Sequence, residues 1–420
     1  MTDRASEPST RLARRLGLFD AVVIGLGSII GAGVFAAFAP AAESAGAGLL
    51  IGLALAGMVA FCNAVSSARL AAVYPPAGGT YVYGRERLGP FFGYLAGFGF
   101  VAGKLASLTA MALTFGYYAL PSLARPLGIT AVVALTAVNY LGITKTAGLT
   151  RVIVAGVLAT LAFVVAACLL GGEPDGDRLS PLWPDGGLHG VLASAGFLFF
   201  AFAGYARIAT LGEEVREPER TIPRAIVVAL GITLALYAAV GVSALLVLGP
   251  ERLADASAPL AEAVGQTSVG GLEPVVRLGA ALASLGVILS LLAGVSRTVF
   301  AMAAEGDLPH RLAAVHPRHK VPHLAELAVG AVVVLVVAVA DLRSAIGFSS
   351  VTVLVYYAIA NASAFTLPSG RRAWNRVVPV VGFVGCLTIA LALPLDTVAA
   401  GLGVLAAGAL LYGVRRLQAP

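Results

Sequence analysis

Apolar residues run along this chain in long blocks, separated by short stretches where Arg, Glu, Asp, Pro and Gly collect. Twelve blocks cover about residues 18–42, 47–73, 90–120, 126–142, 149–171, 189–212, 222–248, 274–303, 324–341, 344–367, 376–393 and 397–414. Each approaches or exceeds the ~20 residues that a helix needs to cross the hydrocarbon of a bilayer. Between them the longest polar gaps are about 15 to 25 residues, too short for a soluble domain. The pattern predicts an all-α membrane protein of about 12 transmembrane helices, forming one transmembrane domain over 1–420.

Two blocks carry an interruption. The first contains Gly25-Leu-Gly-Ser-Ile-Ile-Gly-Ala-Gly-Val-Phe35, in which Gly25, Gly27, Gly31 and Gly33 fall within nine residues. Glycine costs a helix interior about 1 kcal/mol against alanine, and irregular backbone at membrane depth survives only where it lines a cavity or is buried in protein. The stretch reads as a broken helix whose freed N–H and C=O groups bind something polar near the midplane. Gly27-x-x-x-Gly31 also fits a helix-packing face, and the glycines also fit a chain that holds 50 of them in 420 residues. A dinucleotide fingerprint fails, because no strand precedes it and the spacing is one residue too long. The sixth block repeats the feature at Phe199-Phe-Ala-Phe-Ala-Gly-Tyr-Ala-Arg-Ile-Ala209, with Gly204 mid-span and Arg207 beyond it. Odd segments at the first and sixth positions predict two inverted five-helix repeats, 18–171 and 189–367, followed by two additional helices at 376–414.

Composition narrows the class without changing it. Hydrophobic residues make up 59%, charged residues 12%, and mean hydropathy is +0.91. The net charge of +6 would point to nucleic acid in a soluble chain, but here it reports topology. With the N-terminus inside, five cations fall outside (Arg125, Arg178, Arg252, Arg277, Arg343) and two lie within spans (Lys104, Arg207). That leaves 21 of the 28 Lys and Arg on the cytoplasmic side. Both termini are therefore expected in the cytoplasm. The excess of Arg over Lys, with much Ala and Gly, points to a GC-rich bacterial genome and so to a multi-pass protein of the bacterial cytoplasmic membrane. The first block is too long for a signal-peptide core, and Cys62, Cys168 and Cys386 all lie in apolar blocks, so no disulfide framework is expected.

Four stretches carry a family resemblance: Gly27-Ser-Ile-Ile-Gly-Ala-Gly-Val-Phe35, Pro76-Ala-Gly-Gly-Thr-Tyr-Val-Tyr-Gly84, Gly212-Glu-Glu-Val-Arg-Glu-Pro-Glu-Arg-Thr-Ile-Pro223 and Ser296-Arg-Thr-Val-Phe-Ala-Met-Ala-Ala-Glu-Gly-Asp-Leu-Pro309. In order and placement the chain resembles the amino acid–polyamine–organocation (APC) permeases over nearly its whole length. The resemblance implies a LeuT-like fold with broken helices 1 and 6, alternating access, and transport of amino acids or related amines. Carried over by position, it implies that the substrate carboxylate meets backbone N–H groups of Gly31, Ala32 and Gly33. The ammonium would meet carbonyls of Ile29, Phe200, Ala201 and Ala203 beside Gly204, and Phe200 would act as an aromatic gate. Plain core packing or lipid contact is the other reading of Phe200.

Two positions depart from the common pattern. Where many relatives carry a glutamate two residues after the glycine of helix 6, this chain has Ala206, with Arg207 beside it. Lys104 lies midway along the third block and matches a position lining the family's substrate pocket. A buried cation costs about 2.5–3.5 kcal/mol on insertion scales, and no Asp or Glu lies in the middle of any block. Lys104 either loses its proton to desolvation, is capped by carbonyls of the broken helices, or meets the substrate carboxylate. The preferred reading is that it gains and loses a proton during the cycle, the role sodium plays in related folds. A structural lysine pinning helix 3 is the alternative. Arg207 reads as a snorkelling side chain or a substrate contact.

Glu213 and Glu214 end the sixth block, near Arg216, Arg220 and Arg224, and read either as an inner gate of ion pairs or as local surface pairing. His310, His316, His319 and His323 sit in a basic, proline-punctuated loop without cysteine or compact ligand spacing, so no metal and no cofactor is expected. No Ser/His/Asp or Cys/His set converges mid-span, which argues against an enzyme. A receptor would bring a soluble output domain, and a channel would prefer a continuous polar pore. Secondary transport is the expectation, with protons and the bilayer as partners and with the oligomeric state left open. The mapped pocket (Ile29, Ala32, Phe200, Ala203, Tyr205) is small and apolar, favouring a small or neutral amino acid. Alternatives are acidic amino acids or other carboxylates, or an amino acid-sensing receptor.

Overall fold

A computed structural model describes residues 16–74, 79–142, 147–184, 186–205, 208, 215–368 and 373–418. Arg207, Glu213, Glu214 and Ala206 lie outside the described residues. The described chain is helical: α1 (Leu18–Ile29), α2 (Gly33–Ala45), α3 (Leu49–Val73), α4 (Thr80–Leu88), α5 (Pro90–Ala119), α6 (Ala124–Tyr140), α7 (Ala147–Gly171) and α8 (Gly187–Phe202). Then come α9 (Pro218–Asp255), α10 (Pro259–Gly265), α11 (Glu273–Ala304), α12 (His323–Val339), α13 (Leu342–Phe365), α14 (Trp374–Ala392) and α15 (Leu395–Gln418). Among the described residues nine stretches are long and apolar enough to cross a membrane, and α1, α8 and α12 are shorter apolar helices. One of the nine, Gly33–Val73, holds both α2 and α3. As a single helix of 41 residues it would be about 60 Å long, twice the hydrocarbon thickness. Gly46, at φ 51°, ends α2 in a conformation that side chains resist.

The outer surface carries many large apolar side chains. Leu170, Val339, Leu395 and Leu410 are all more than 70% exposed. Lipid tails offer such residues the company that water refuses. Inside, helices approach through small residues, because van der Waals contact rather than hydrophobic exclusion holds helices together in lipid. A β-carbon on Gly116 of α5 would stand 2.0 Å from the Ala124 carbonyl of α6, so these backbones touch. Helix α5 packs most extensively on α13 and α11, where Gly103 lies against Thr352 and Ser107 Oγ meets Ser349 Oγ at 2.7 Å. Both α2 and α3 pack on α8, and α1 packs on α9. The short helices α1, α2 and α8 are thus wrapped by long ones, and their broken ends meet in the middle.

Candidate functional site

The first apolar block is interrupted, over fewer residues than its glycines imply. Helix α1 continues to Ile29 and α2 starts at Gly33, leaving Ile30, Gly31 and Ala32 outside both. Gly25 and Gly27 are helical and serve packing: a β-carbon there would meet Ile208 at 2.5 Å and Val154 at 2.8 Å. Gly31 and Gly33 border the break itself. The Ile30 N–H still reaches the Leu26 carbonyl (2.7 Å), and the Gly31 N–H turns onto the Ile29 carbonyl (3.0 Å). Among the described residues the N–H groups of Ala32 and Val34 make no backbone hydrogen bond outside the helices, and that of Phe35 turns onto the Ala32 carbonyl (3.1 Å). The bare amides at the N-terminus of α2 form an anion-binding pole, equivalent to about half a positive charge.

Helix α8 ends at Phe202, and Ala203, Gly204 and Tyr205 form turns, closed by Ala203 N–H to the Phe200 carbonyl (3.4 Å) and Tyr205 N–H to the Phe202 carbonyl (3.3 Å). The two breaks press on each other. A β-carbon at Gly204 would lie 1.7 Å from the Ser28 carbonyl oxygen, and one at Gly33 would lie 2.9 Å from the Ala201 Cα. The positive pole of α2 therefore lies beside the negative, carbonyl-bearing pole of α8. A molecule with a carboxylate and an ammonium a few bonds apart matches that pair of poles.

The structure brings Ile29, Gly31, Ala32, Gly33, Phe200, Ala201, Ala203 and Gly204 together at these breaks. Ile29 (3% exposed), Ala32, Phe200 and Ala201 are buried. Tyr237 of α9, which the sequence reading passed over, ties them further. Its buried hydroxyl lies 3.2 Å from the Ile29 carbonyl and 3.1 Å from that of Ala201, so one proton is shared between the two broken helices. A tyrosine mid-span, rather than at a membrane interface where tyrosines collect, was the available signal. Replacing Tyr237 by Phe leaves both carbonyls without that donor at a cost of about 1–2 kcal/mol. The expected result for Tyr237→Phe is a roughly 5- to 30-fold fall in uptake efficiency in proteoliposomes.

Lys104 is buried in α5, with its Nζ 5.9 Å from the centre of the Phe100 ring. Among the described residues it makes no ion pair and no hydrogen bond, so a cation–π contact is what the protein offers its charge. Tyr205 packs against Tyr357, ring centres 5.1 Å apart, near a pair of buried amides in which Asn361 Nδ2 donates to Asn63 Oδ1 (2.6 Å).

Ion pairs close each end of the bundle. At one end Arg85 of α4 spans Asp307 (2.9 Å) and Glu305 (3.0 Å) beyond α11, stacked over Tyr81, whose hydroxyl donates to Asp307 at 2.6 Å. Burial and the Asp307 bond push the Tyr81 phenol well above its ordinary value, keeping it a donor. Asp307 and Arg85 lie inside or next to two of the family-like stretches, but their pairing links positions 222 residues apart. At the other end Arg343, before the second turn of α13, binds Glu43 at the end of α2 and the Ala254 carbonyl of α9. There Glu43, Asp341, Arg343 and Asp396 line an open cavity of about 390 Å³.

Comparison with known proteins gives the family. Residues 20–375 match the family model of the amino acid permeases. An uncharacterized transporter of Mycobacterium tuberculosis is 63% identical over 406 residues, 97% of this chain and 92% of the relative. The branched-chain amino acid permease BcaP of Bacillus subtilis is 26% identical over 444 residues, 97% and 94% of the two chains. The methylthioribose transporter of the same organism is 30% identical over 345 residues, 76% and 73%. With a family model spanning residues 20–375, most of its length, this chain belongs to the amino acid permease family of the APC superfamily.

Proposed function

We propose that the protein is a secondary active transporter that carries neutral amino acids across the bacterial cytoplasmic membrane by alternating access. The observation that carries this reading is the meeting of two helix breaks, with the Ala32 and Val34 amides at the N-terminus of α2 on one and the carbonyl end of α8 on the other. In this reading the chain makes twelve spans, with α1/α2 and α8 plus its continuation as the broken first and sixth. Both termini and the Arg85 cluster face the cytoplasm, while Arg343 and Glu43 face outward. Carboxylate binds at α2 and ammonium at the carbonyls of Ile29, Phe200, Ala201 and Ala203. Phe200, Arg207, Glu213 and Glu214 take part in gating. The apolar side chains around the breaks favour an uncharged side chain, in keeping with the branched-chain permease among the relatives. The test is counterflow: proteoliposomes loaded with one neutral amino acid accumulate labelled leucine or isoleucine. The panel includes glutamate, lysine and methylthioribose, and accumulation of one of these alone would replace the substrate assignment. No counterflow with any of them would end the transporter reading.

Lys104 is the proposed coupling residue near the pathway, because a lone buried ammonium without a carboxylate is retained in membranes for a function. Lys104→Ala is expected to leave exchange measurable while removing the stimulation by an inward proton gradient. A variant that responded to the gradient as the parent does would make Lys104 a packing residue.

A further inference from the structure

Among the described carboxylates only Glu326, in the first turn of α12, is buried, at 3% exposure. Its Oε2 has no hydrogen bond, and neither has Ser296 Oγ, which faces it from α11. Two further buried atoms on the same side are also unmet. Thr136 Oγ1 of α6 packs against Gly330, one turn beyond Glu326, and His323 Nδ1 lies one turn before it. Three unsatisfied polar atoms, from α6, α11 and α12, thus lie on the side of a carboxylate oxygen that is itself unsatisfied, although buried polar atoms ordinarily find partners.

The surrounding charges compensate Glu326 only in part. Arg297 of α11 is exposed and forms no ion pair with it. Helix α6 contributes Tyr140, whose ring lies 6.2 Å from that of His323, and the turn His310–Ala313 contributes His310 and Arg311. Helix α5 brings apolar residues, Ala102, Leu105 and Ala106, to the side that meets Val332 and Val336 of α12. The favourable pole of α12 offsets only a small part of the cost of burying an ion without a partner. Protonation removes that cost and gives Oε2 a hydrogen to donate, for which Ser296 Oγ has a free acceptor site.

We propose that Glu326 is a proton-binding site: its carboxyl is protonated in this state, directed to Ser296, and exchanges its proton with the cytoplasm through His323. The histidines beside it fit that route. His316 Nδ1 accepts the amides of Arg318 (3.2 Å) and His319 (3.1 Å), so protonating it would oppose two donors. Partial desolvation, His319, His323 and Arg318 hold its imidazole below the ordinary histidine range. A neutral His316, ring centre 5.3 Å from that of His323, places no positive charge against His323. The proton arrives from water on His323 and passes to Oε2; the imidazole returns to neutral and the carboxylate loses its charge. A role for this proton in coupling rests on the transporter reading; the site itself does not.

Infrared difference spectra of the full-length protein in lipid nanodiscs, titrated from mildly acidic to alkaline pH, test the site directly. The expected result is a protonated-carboxyl C=O band at neutral pH that fades with rising pH and is missing from Glu326→Gln. Ser296→Ala, which removes the hydroxyl facing the carboxyl, is expected to shift the pH at which the band fades. A band shared by the parent and Glu326→Gln, no such band at all, or an unmoved midpoint in Ser296→Ala would overturn the assignment. Because the spectrum needs no flux, its failure leaves the transporter reading standing, and failed counterflow leaves the spectrum interpretable.

Discussion

Gly204→Ala is expected to reduce uptake by about 100-fold while Gly231→Ala leaves it unchanged. The added carbon at Gly204 would stand 1.7 Å from the Ser28 carbonyl oxygen, 2.4 Å from its carbon and 2.9 Å from the Ile29 nitrogen. All three are backbone atoms, so no rotamer change relieves the contact. Either the two breaks separate or the chain does not pack. Overpacking a filled interior costs about 1–3 kcal/mol and occasionally more, and a backbone contact belongs at the upper end. About 3 kcal/mol corresponds to the predicted hundredfold loss. At Gly231 of α9 a β-carbon would meet nothing within 4 Å. Initial uptake rates, paired with thermal midpoints of the purified variants, separate a displaced site from an unfolded one. Uptake near the parent's level by Gly204→Ala would show that the breaks do not touch in the working protein.

The second large effect is expected from Arg85→Ala. Arg85 joins Asp307 and Glu305 through two different nitrogens and covers the Tyr81 ring. Its side chain is 27% exposed and that of Asp307 is 11% exposed, so this is neither a surface pair nor a dry one. Surface pairs contribute about 0–1 kcal/mol, while breaking buried ones costs about 3–5 kcal/mol. A value of about 1–3 kcal/mol is reasonable after discounting for solvent, equivalent to a roughly 5- to 150-fold change. Hydrogen exchange of α4, residues 80–88, should accelerate by that factor, because α4 would lose its tie to the segment after α11. Arg85→Lys keeps the charge but not the fork that reaches two carboxylates at once, so its exchange should fall between the two. Unchanged protection of α4 in Arg85→Ala would show that other contacts hold this end closed.

How much of this was legible in the sequence differs from element to element. The apolar blocks predict helices within a few residues of those observed: 90–120 against Pro90–Ala119 and 274–303 against Glu273–Ala304. They can do so because lipid enforces a helix wherever side chains are apolar for long enough. The break in the first block was legible as glycine enrichment, but its position was not. Gly25 and Gly27 and the pair Gly31 and Gly33 look alike in sequence, yet the first two make room for Ile208 and Val154 and only the latter border unwound backbone. Glu326 illustrates the converse. It stands near the start of an apolar block, where a carboxylate is ordinarily solvated, and nothing nearby in the chain marks it as buried.

Taken alone, the sequence determined that this protein is helical, lies in a membrane, interrupts its first apolar segment and carries a lone lysine inside its third. Each of these follows from local composition and from the rule that hydrocarbon leaves no backbone group unpaired without consequence. Only the tertiary structure decided that Gly204 touches Ser28, that Tyr237 links two broken helices, and that Arg85 reaches Asp307. It alone put Glu326 beside an idle serine. These contacts join positions far apart in the chain, and their existence depends on how long helices stack around short ones. That stacking is set by close packing of small residues across many helices at once, which no single stretch of the chain encodes.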